Sequence, residues 1–212
     1  MKITNTWMDV DLGRMERNLT ALRECIQSGI EVFRMTSANA YTFEAMPIGP
    51  MQGVCPQYLA VHSVEDGEAL RAQGITFPIL VLDYPEPENV AGYVKRLHYG
   101  FLAQSVPSVK VYRTLAMRVL PAYGGVIGVH LKVKITPDGD DGFCYWDEKS
   151  DIQDLITAKS GLGVYCEGIW TELPACDDED TRMLKVKKLN ALAARLEEIT
   201  GKPIPVRHVI VK

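Results

Sequence analysis

Apolar positions along the chain fall into short runs separated by longer segments in which they recur at helical spacing. The runs near 30–36, 57–61, 78–82, 98–103, 126–135, 163–170 and 206–211 predict strands, being rich in Val, Ile and Leu and bounded by turn residues. The segments near 12–28, 64–73, 86–97, 107–120, 148–160 and 178–200 predict helices. The last is the most amphipathic, with Leu184, Leu189, Leu192 and Leu196 set against a solvated charged face of Lys185, Lys187, Lys188 and Glu197. Strand and helix alternate with little filler, which predicts an α/β fold of parallel strands and crossover helices wound one way into a barrel. Thr136 to Asp141, with Pro137, Asp138 and Gly139, reads as a solvated loop.

Alternation inside one strand gives the first chemistry. His130, Lys132 and Lys134 share one face and Val129, Leu131, Val133 and Ile135 the other, so a polar barrel interior and an apolar exterior under helices are expected. Cationic groups inside a barrel need partners, because an unpaired buried charge is prohibitively costly. Glu172 on the neighbouring strand is the expected counter-charge for Lys134, shared with Glu167 if that side chain also turns inward. Ser37 stands at the C-terminal end of the run 30–36, the end where βα-repeat proteins build function. A hydroxyl capping a backbone group and a catalytic serine are the two readings of it, and no His and Asp arrangement around it is legible. His62, His98 and His208 lack metal spacing.

Composition narrows the classes. A chain of 212 residues, 47% hydrophobic and 24% charged, suits one domain with a substantial core. A net charge of -4 argues against nucleic acid and anionic membranes as partners. Five cysteines without a C-x-x-C pair suggest neither a disulfide framework nor a zinc site, and reduced thiols in the cytoplasm are expected. There is no basic-then-apolar leader and no apolar run approaching the ~20 residues of a membrane span.

Several stretches resemble the alanine racemase N-terminal domain family, the pyridoxal-phosphate (PLP) barrel of fold type III. Thr6-Trp7-Met8-Asp9-Val10-Asp11-Leu12 with Asn18-Leu19 is similar to the family's T-W-x-x-I-D-L-x-x-x-x-x-N start, and Ala38-Asn39-Ala40-Tyr41 to the core of its K-A-N-A-Y-G motif. Ala60-Val61-His62-Ser63-Val64-Glu65, Glu68-Ala69-Leu70-Arg71, Gly74-Ile75 and Pro78-Ile79-Leu80-Val81-Leu82 resemble its A-V-A-S-x-x-E-A-x-x-L-R-x-x-G-I-x-x-P-I-L-V-L stretch. His130-Leu131-Lys132-Val133 and Gly168-Ile169-Trp170-Thr171 are similar to H-L-K-V-D-T-G and G-I-x-T-H. The resemblance implies a TIM-like (β/α) barrel of about seven βα units over residues 1–212, with the eighth strand and the family's C-terminal β-domain absent. Such a barrel does not close by itself, and each backbone group left buried without a partner would cost roughly 1–3 kcal/mol. A homo-oligomer, a swapped segment, a rearrangement of the strands or a partner chain covering the open edge is therefore expected.

The resemblance also implies a site. The family's Schiff-base lysine falls at Ser37, whose hydroxyl forms no aldimine. Tyr41 matches the tyrosine beside the cofactor, in a packing or a recognition role, and His208 matches the one histidine kept from H-x-x-N-S. The substrate-side arginine is missing from the stretch after Lys132, and Thr171-Glu172 stands where the family has T-H. Tyr41, Lys132, Lys134, Glu172 and His208 are thus the candidate cofactor-side residues, with PLP binding weak or absent. Three readings follow: a pseudoenzyme binding a small ligand, an amino acid or a protein; one component of a split PLP enzyme; or a working PLP enzyme, alanine racemase or otherwise, whose relocated lysine, Lys134, reaches PLP or another carbonyl ligand.

Overall fold

The computed structural model describes residues 11–25, 34–35, 59–72, 74–76, 78–82, 102–106, 127–136, 142–160 and 164–211. Parallel strands run in the order β1 (Arg34–Met35), β2 (Leu59–Val61), β3 (Ile79–Val81), β4 (Leu102–Val106), β5 (Ile127–Lys134), β7 (Val164–Leu173) and β8 (Val206–Val211). The short β6 (Phe143–Cys144) lies off this path and pairs with β5. Four helices are described: α1 (Leu12–Cys25), α2 (Val64–Ala72), α3 (Gln153–Ser160) and α4 (Glu179–Thr200). The helices expected near 86–97 and 107–120 lie outside the described residues. Compared with the sequence reading, β7 runs on to Leu173 and β4 to Val106, and β6 is an addition.

The sheet curls. Leu80 on β3 is fully buried and packs against Val206 on β8, although three strands separate β3 and β8 in the order. A contact between strands so far apart closes over a common interior, as in a barrel. Among the described residues the order ends at β1 on one side and β8 on the other.

The outer faces carry the apolar core. Val129, Leu131, Val133 and Ile135 pack with Leu155 and Ala158 of α3 and Leu189, Leu192, Ala193 and Leu196 of α4, as alternation on β5 predicts. On the far side Leu59, Val61, Ile79 and Val81 pack with Val64 and Leu70 of α2.

Helix α4 starts where Asp178 accepts the Thr181 N–H at 2.8 Å and stops at Gly201, whose φ of 63° sends its N–H back to the Glu197 carbonyl at 2.9 Å. Its buried stripe is Lys185, Leu189, Leu192, Ala193 and Leu196, one residue out of phase with the expected one at its start. Leu184 is exposed and Lys185 is buried, because Asp177, just ahead of the helix, meets the Lys185 ammonium at 2.5 Å and compensates its loss of water. No helix among the described residues is long and apolar enough to cross a membrane.

Candidate functional site

The interior is built in layers from β5, β7 and β8, whose registers align His130 with Gly168 and Val206, and Lys132 with Trp170 and His208. One irregularity precedes this alignment: Val129 faces Cys166 but His130 faces Gly168, so Glu167 is the extra residue of a β-bulge. The bulge brings the Glu167 carboxylate to 3.7 Å from His130 Nε2. Gly168 leaves room for the imidazole, since a Cβ at that position would lie 2.5 Å from His130 Nδ1.

His130 is wholly buried, and its Nδ1 lies 2.8 Å from Nε2 of His208 in an edge-on contact. One ring must donate and the other accept, so the pair holds a proton between two neutral rings. Trp170 stacks on His208 at 5.7 Å between centroids. Burial pushes the His208 pKa well below the ordinary 6.5, with His130 adding to the effect. Burial lowers His130 as well, against the pull of Glu167.

Beyond His130, toward the C-terminal end of β5, the two lysines find different partners. Lys132 Nζ meets Glu172 Oε1 at 2.9 Å, both side chains about 15% exposed, and lies 5.1 Å from the centre of the Trp170 ring. This corrects the expected Glu172 pairing with Lys134. The end of β5 turns toward β6, where Lys134 pairs with Cys144 and its carbonyl accepts the Tyr145 N–H at 2.9 Å. That turn carries the Lys134 ammonium over the indole of Trp146, 5.8 Å from its centre. Glu167 does approach a basic group of the interior, but it is His130 and not a lysine.

The backbone of Trp146 is held on both sides. Its N–H donates to Ser150 Oγ at 2.9 Å and its carbonyl accepts from Lys188 Nζ at 3.0 Å, while Arg195 donates to the Glu148 carbonyl at 2.9 Å. Lys188, of the face expected to be merely solvated, and Arg195 thus tether the β6–α3 loop to α4.

Of the candidate residues, Lys132, Glu172 and His208 gather around Trp170, whereas Lys134 lies over Trp146; Ser37 and Tyr41 lie outside the described residues. His208 lies beside Trp170 in the same layer and against His130. Sequence reasoning overlooked both tryptophans. Trp170 was findable, since it shares the two-residue period of Gly168 and Glu172; Trp146 carries no periodic signal. Among the described residues no group of His, Cys, Asp and Glu is placed to hold a metal ion. Cys144, Cys166 and Cys176 are free thiols, and burial pushes Cys166 up to about 12, which makes it a packing residue and not a nucleophile.

Comparison with known proteins follows the same outline. The family described as alanine racemase, N-terminal domain, matches residues 10–210. The alanine racemase of Methanococcus maripaludis is 24% identical over 209 residues, covering 95% of this chain and 52% of its own length. Alanine racemase 2 of Caldanaerobacter subterraneus is 27% identical over 214 residues, covering 98% and 52%. The solved alanine racemase of Clostridium difficile 630 superimposes with a TM-score of 0.74 at 22% identity, over 92% of this chain and 52% of that one. The chain spans about half the length of the curated relatives it matches.

Proposed function

The chain belongs to the alanine racemase N-terminal domain family, and from that premise we propose that it is a non-catalytic member whose barrel mouth binds a small ligand. The family is PLP-dependent. PLP supplies its members with an electron sink at the amino acid's α-carbon and is tethered by a lysine amine. The observation that carries the proposal is Ser37, which precedes Ala38-Asn39-Ala40-Tyr41 where the family's motif has that lysine. A hydroxyl cannot condense with the aldehyde.

The residues present do not fit a customarily tethered PLP. At the mouth, Lys132 is an ammonium held by Glu172, and an amine must shed its proton before it can attack a carbonyl. Lys134 turns away toward Trp146. Trp170 stacks on His208 in its own layer and His130 lies in the layer below, so that three rings pack together beside Lys132. What this chain's residues do is hold one ion pair, Lys132 with Glu172, beside Trp170 and one ammonium, Lys134, over Trp146.

A second reading, one component of a multi-chain PLP enzyme, draws support from the strand order, which among the described residues does not return from β8 to β1. In it, a partner chain or second copy covers that edge and supplies the missing amine.

One experiment separates the readings. The purified protein is given PLP, its visible spectrum recorded, the mixture reduced with borohydride and mapped, and alanine racemisation assayed. The expected result is no stoichiometric yellow complex, no reduced lysine adduct and no turnover. An adduct on Lys132 or Lys134 together with racemisation would overturn the non-catalytic reading, and activity restored only by a co-purified chain would favour the second.

A further inference from the structure

We infer that the rim of the barrel mouth beside β6 binds a small oxyanion, a carboxylate or phosphate, on the ammonium of Lys134, with the apolar part of the same ligand lying on the indole of Trp146. This deepens the reading of the mouth as a ligand site and rests on it.

Among the described residues the charges around Lys134 do not balance. Lys132 and Glu172 neutralise one another at 2.9 Å. The two imidazoles beneath them are neutral near pH 7, burial holding both below their ordinary range. Asp147, the acidic residue next along from Trp146, is turned into its own loop, where Oδ1 accepts the Lys149 N–H at 2.9 Å and lies 3.4 Å from the Ser150 hydroxyl. Among the described residues no carboxylate lies within ion-pair distance of Lys134; its contact is the face of Trp146. A ring face attracts an ammonium less strongly than an oxyanion does, so an anion arriving here gains a charge-assisted hydrogen bond without breaking an ion pair.

The second half of the site is the indole. Trp146 is about a third exposed, an unusual position for so large an apolar group. Yet its backbone is fixed at both N–H and carbonyl, and the loop is pinned again through Arg195. A rigid, half-open aromatic surface beside an ammonium that no described carboxylate neutralises recognises a small molecule with an acidic end and a flat or apolar end. The half-buried setting of Lys134 at the C-terminal end of β5 strengthens its field relative to a lysine in open water.

The test titrates 15N-labelled protein at constant ionic strength with acetate, inorganic phosphate, benzoate and phenyl phosphate, following the Trp146 indole N–H and the backbone amides of residues 142–150, the latter alone in Trp146→Leu. It then repeats the titrations on Lys134→Gln, Lys134→Arg and Trp146→Leu. Saturable shifts are expected, weakened about tenfold or more in Lys134→Gln and largely retained in Lys134→Arg. Trp146→Leu should weaken benzoate and phenyl phosphate and spare acetate and phosphate. The tighter of the carboxylate and phosphate series identifies the natural head group. No saturable shift with any probe, or unchanged affinity in Lys134→Gln, overturns the inference. If Lys134→Gln fails to fold, protection of Lys134 from reductive methylation by bound phenyl phosphate in the wild-type protein decides, and absence of protection is the negative result. A failure here beside a colourless, inactive protein leaves the non-catalytic reading intact, whereas racemisation would remove that reading without bearing on Lys134.

Discussion

At the scale of single residues, the tightest constraint is the space between β5 and β7. Gly168→Ala puts a methyl group within 2.5–2.8 Å of three atoms of the His130 ring, which is fully buried and already bonded to His208. The substitution should cost about 1–3 kcal/mol by chemical denaturation, and much less in a His130→Ala background, where the clash is gone. The same imidazoles set an acid limit. Both have folded pKa values below the unfolded 6.5, so the unfolded chain binds protons more readily than the fold as pH drops through 6.5. Their stabilising contribution is complete above that value and declines steadily below it. Denaturation midpoints measured from pH 7.5 down to 5 should fall, and His208→Gln should flatten the slope. A slope unaltered by that substitution would place the acid sensitivity elsewhere. The basic side chains of this region also mark how far sequence reaches. Period-two alternation correctly puts His130, Lys132 and Lys134 on one side of β5, because the pleat dictates it. It cannot say which lysine meets Glu172. That depended on where β5 leaves β7 for β6, and a two-residue strand such as Phe143–Cys144 has no period to read.

The elements are secured at their ends. Lys159 of α3 is buried, yet it donates to Thr200 Oγ1 at 2.8 Å and to the Lys202 carbonyl, so its charge closes the C-terminus of α4. Lys159→Met leaves those oxygens unserved and should lower stability by about 1–3 kcal/mol, with the loss of amide protection concentrated in the last turn of α4. Gly201→Ala should cost about 1 kcal/mol, since φ of 63° strains any residue with a Cβ. Both changes are readable by thermal or urea unfolding. Helix α4 also shows why its inner stripe was misjudged at one end. Hydropathy places Leu184 inside and Lys185 outside, but the helical phase set by Leu189, Leu192 and Leu196 puts Lys185 inward, and Asp177 makes that tolerable. The apolar pattern alone holds no record of a carboxylate waiting ahead of the helix.

Over the whole molecule, the barrel character rests on contacts across the interior as much as on the ladder. Leu80→Ala removes the side chain that ties β3 to Val206, and it should cost about 2–5 kcal/mol while loosening amide protection along β8 more than along β5. The family's fold was legible because several of its matching words fall on described elements: Ala60-Val61 on β2, Glu68 to Arg71 on α2, Ile79 to Val81 on β3, His130 to Val133 on β5 and Gly168 to Thr171 on β7. The site was less so, for its partners are brought together by register and by loop anchoring. If a second copy or a partner chain covers the edge beside β8, light scattering should give a mass above the 23.6 kDa of one chain. A value at 23.6 kDa with β8 amides exchanging freely would count against that cover.

The surplus residue on β7 governs more than the neighbourhood of His130. Cys166 points outward into the helix-side core, and plain alternation would turn every even-numbered residue after it the same way. Because Glu167 is accommodated out of step, Gly168 faces His130, and Trp170 and Glu172 follow it to the inside while Ile169 goes to the helices. Deleting Glu167 would therefore remove much more than one carboxylate. It would invert the strand beyond it, driving an indole and a charge into the oily layer under α3 and α4 and emptying the mouth of the acid that holds Lys132.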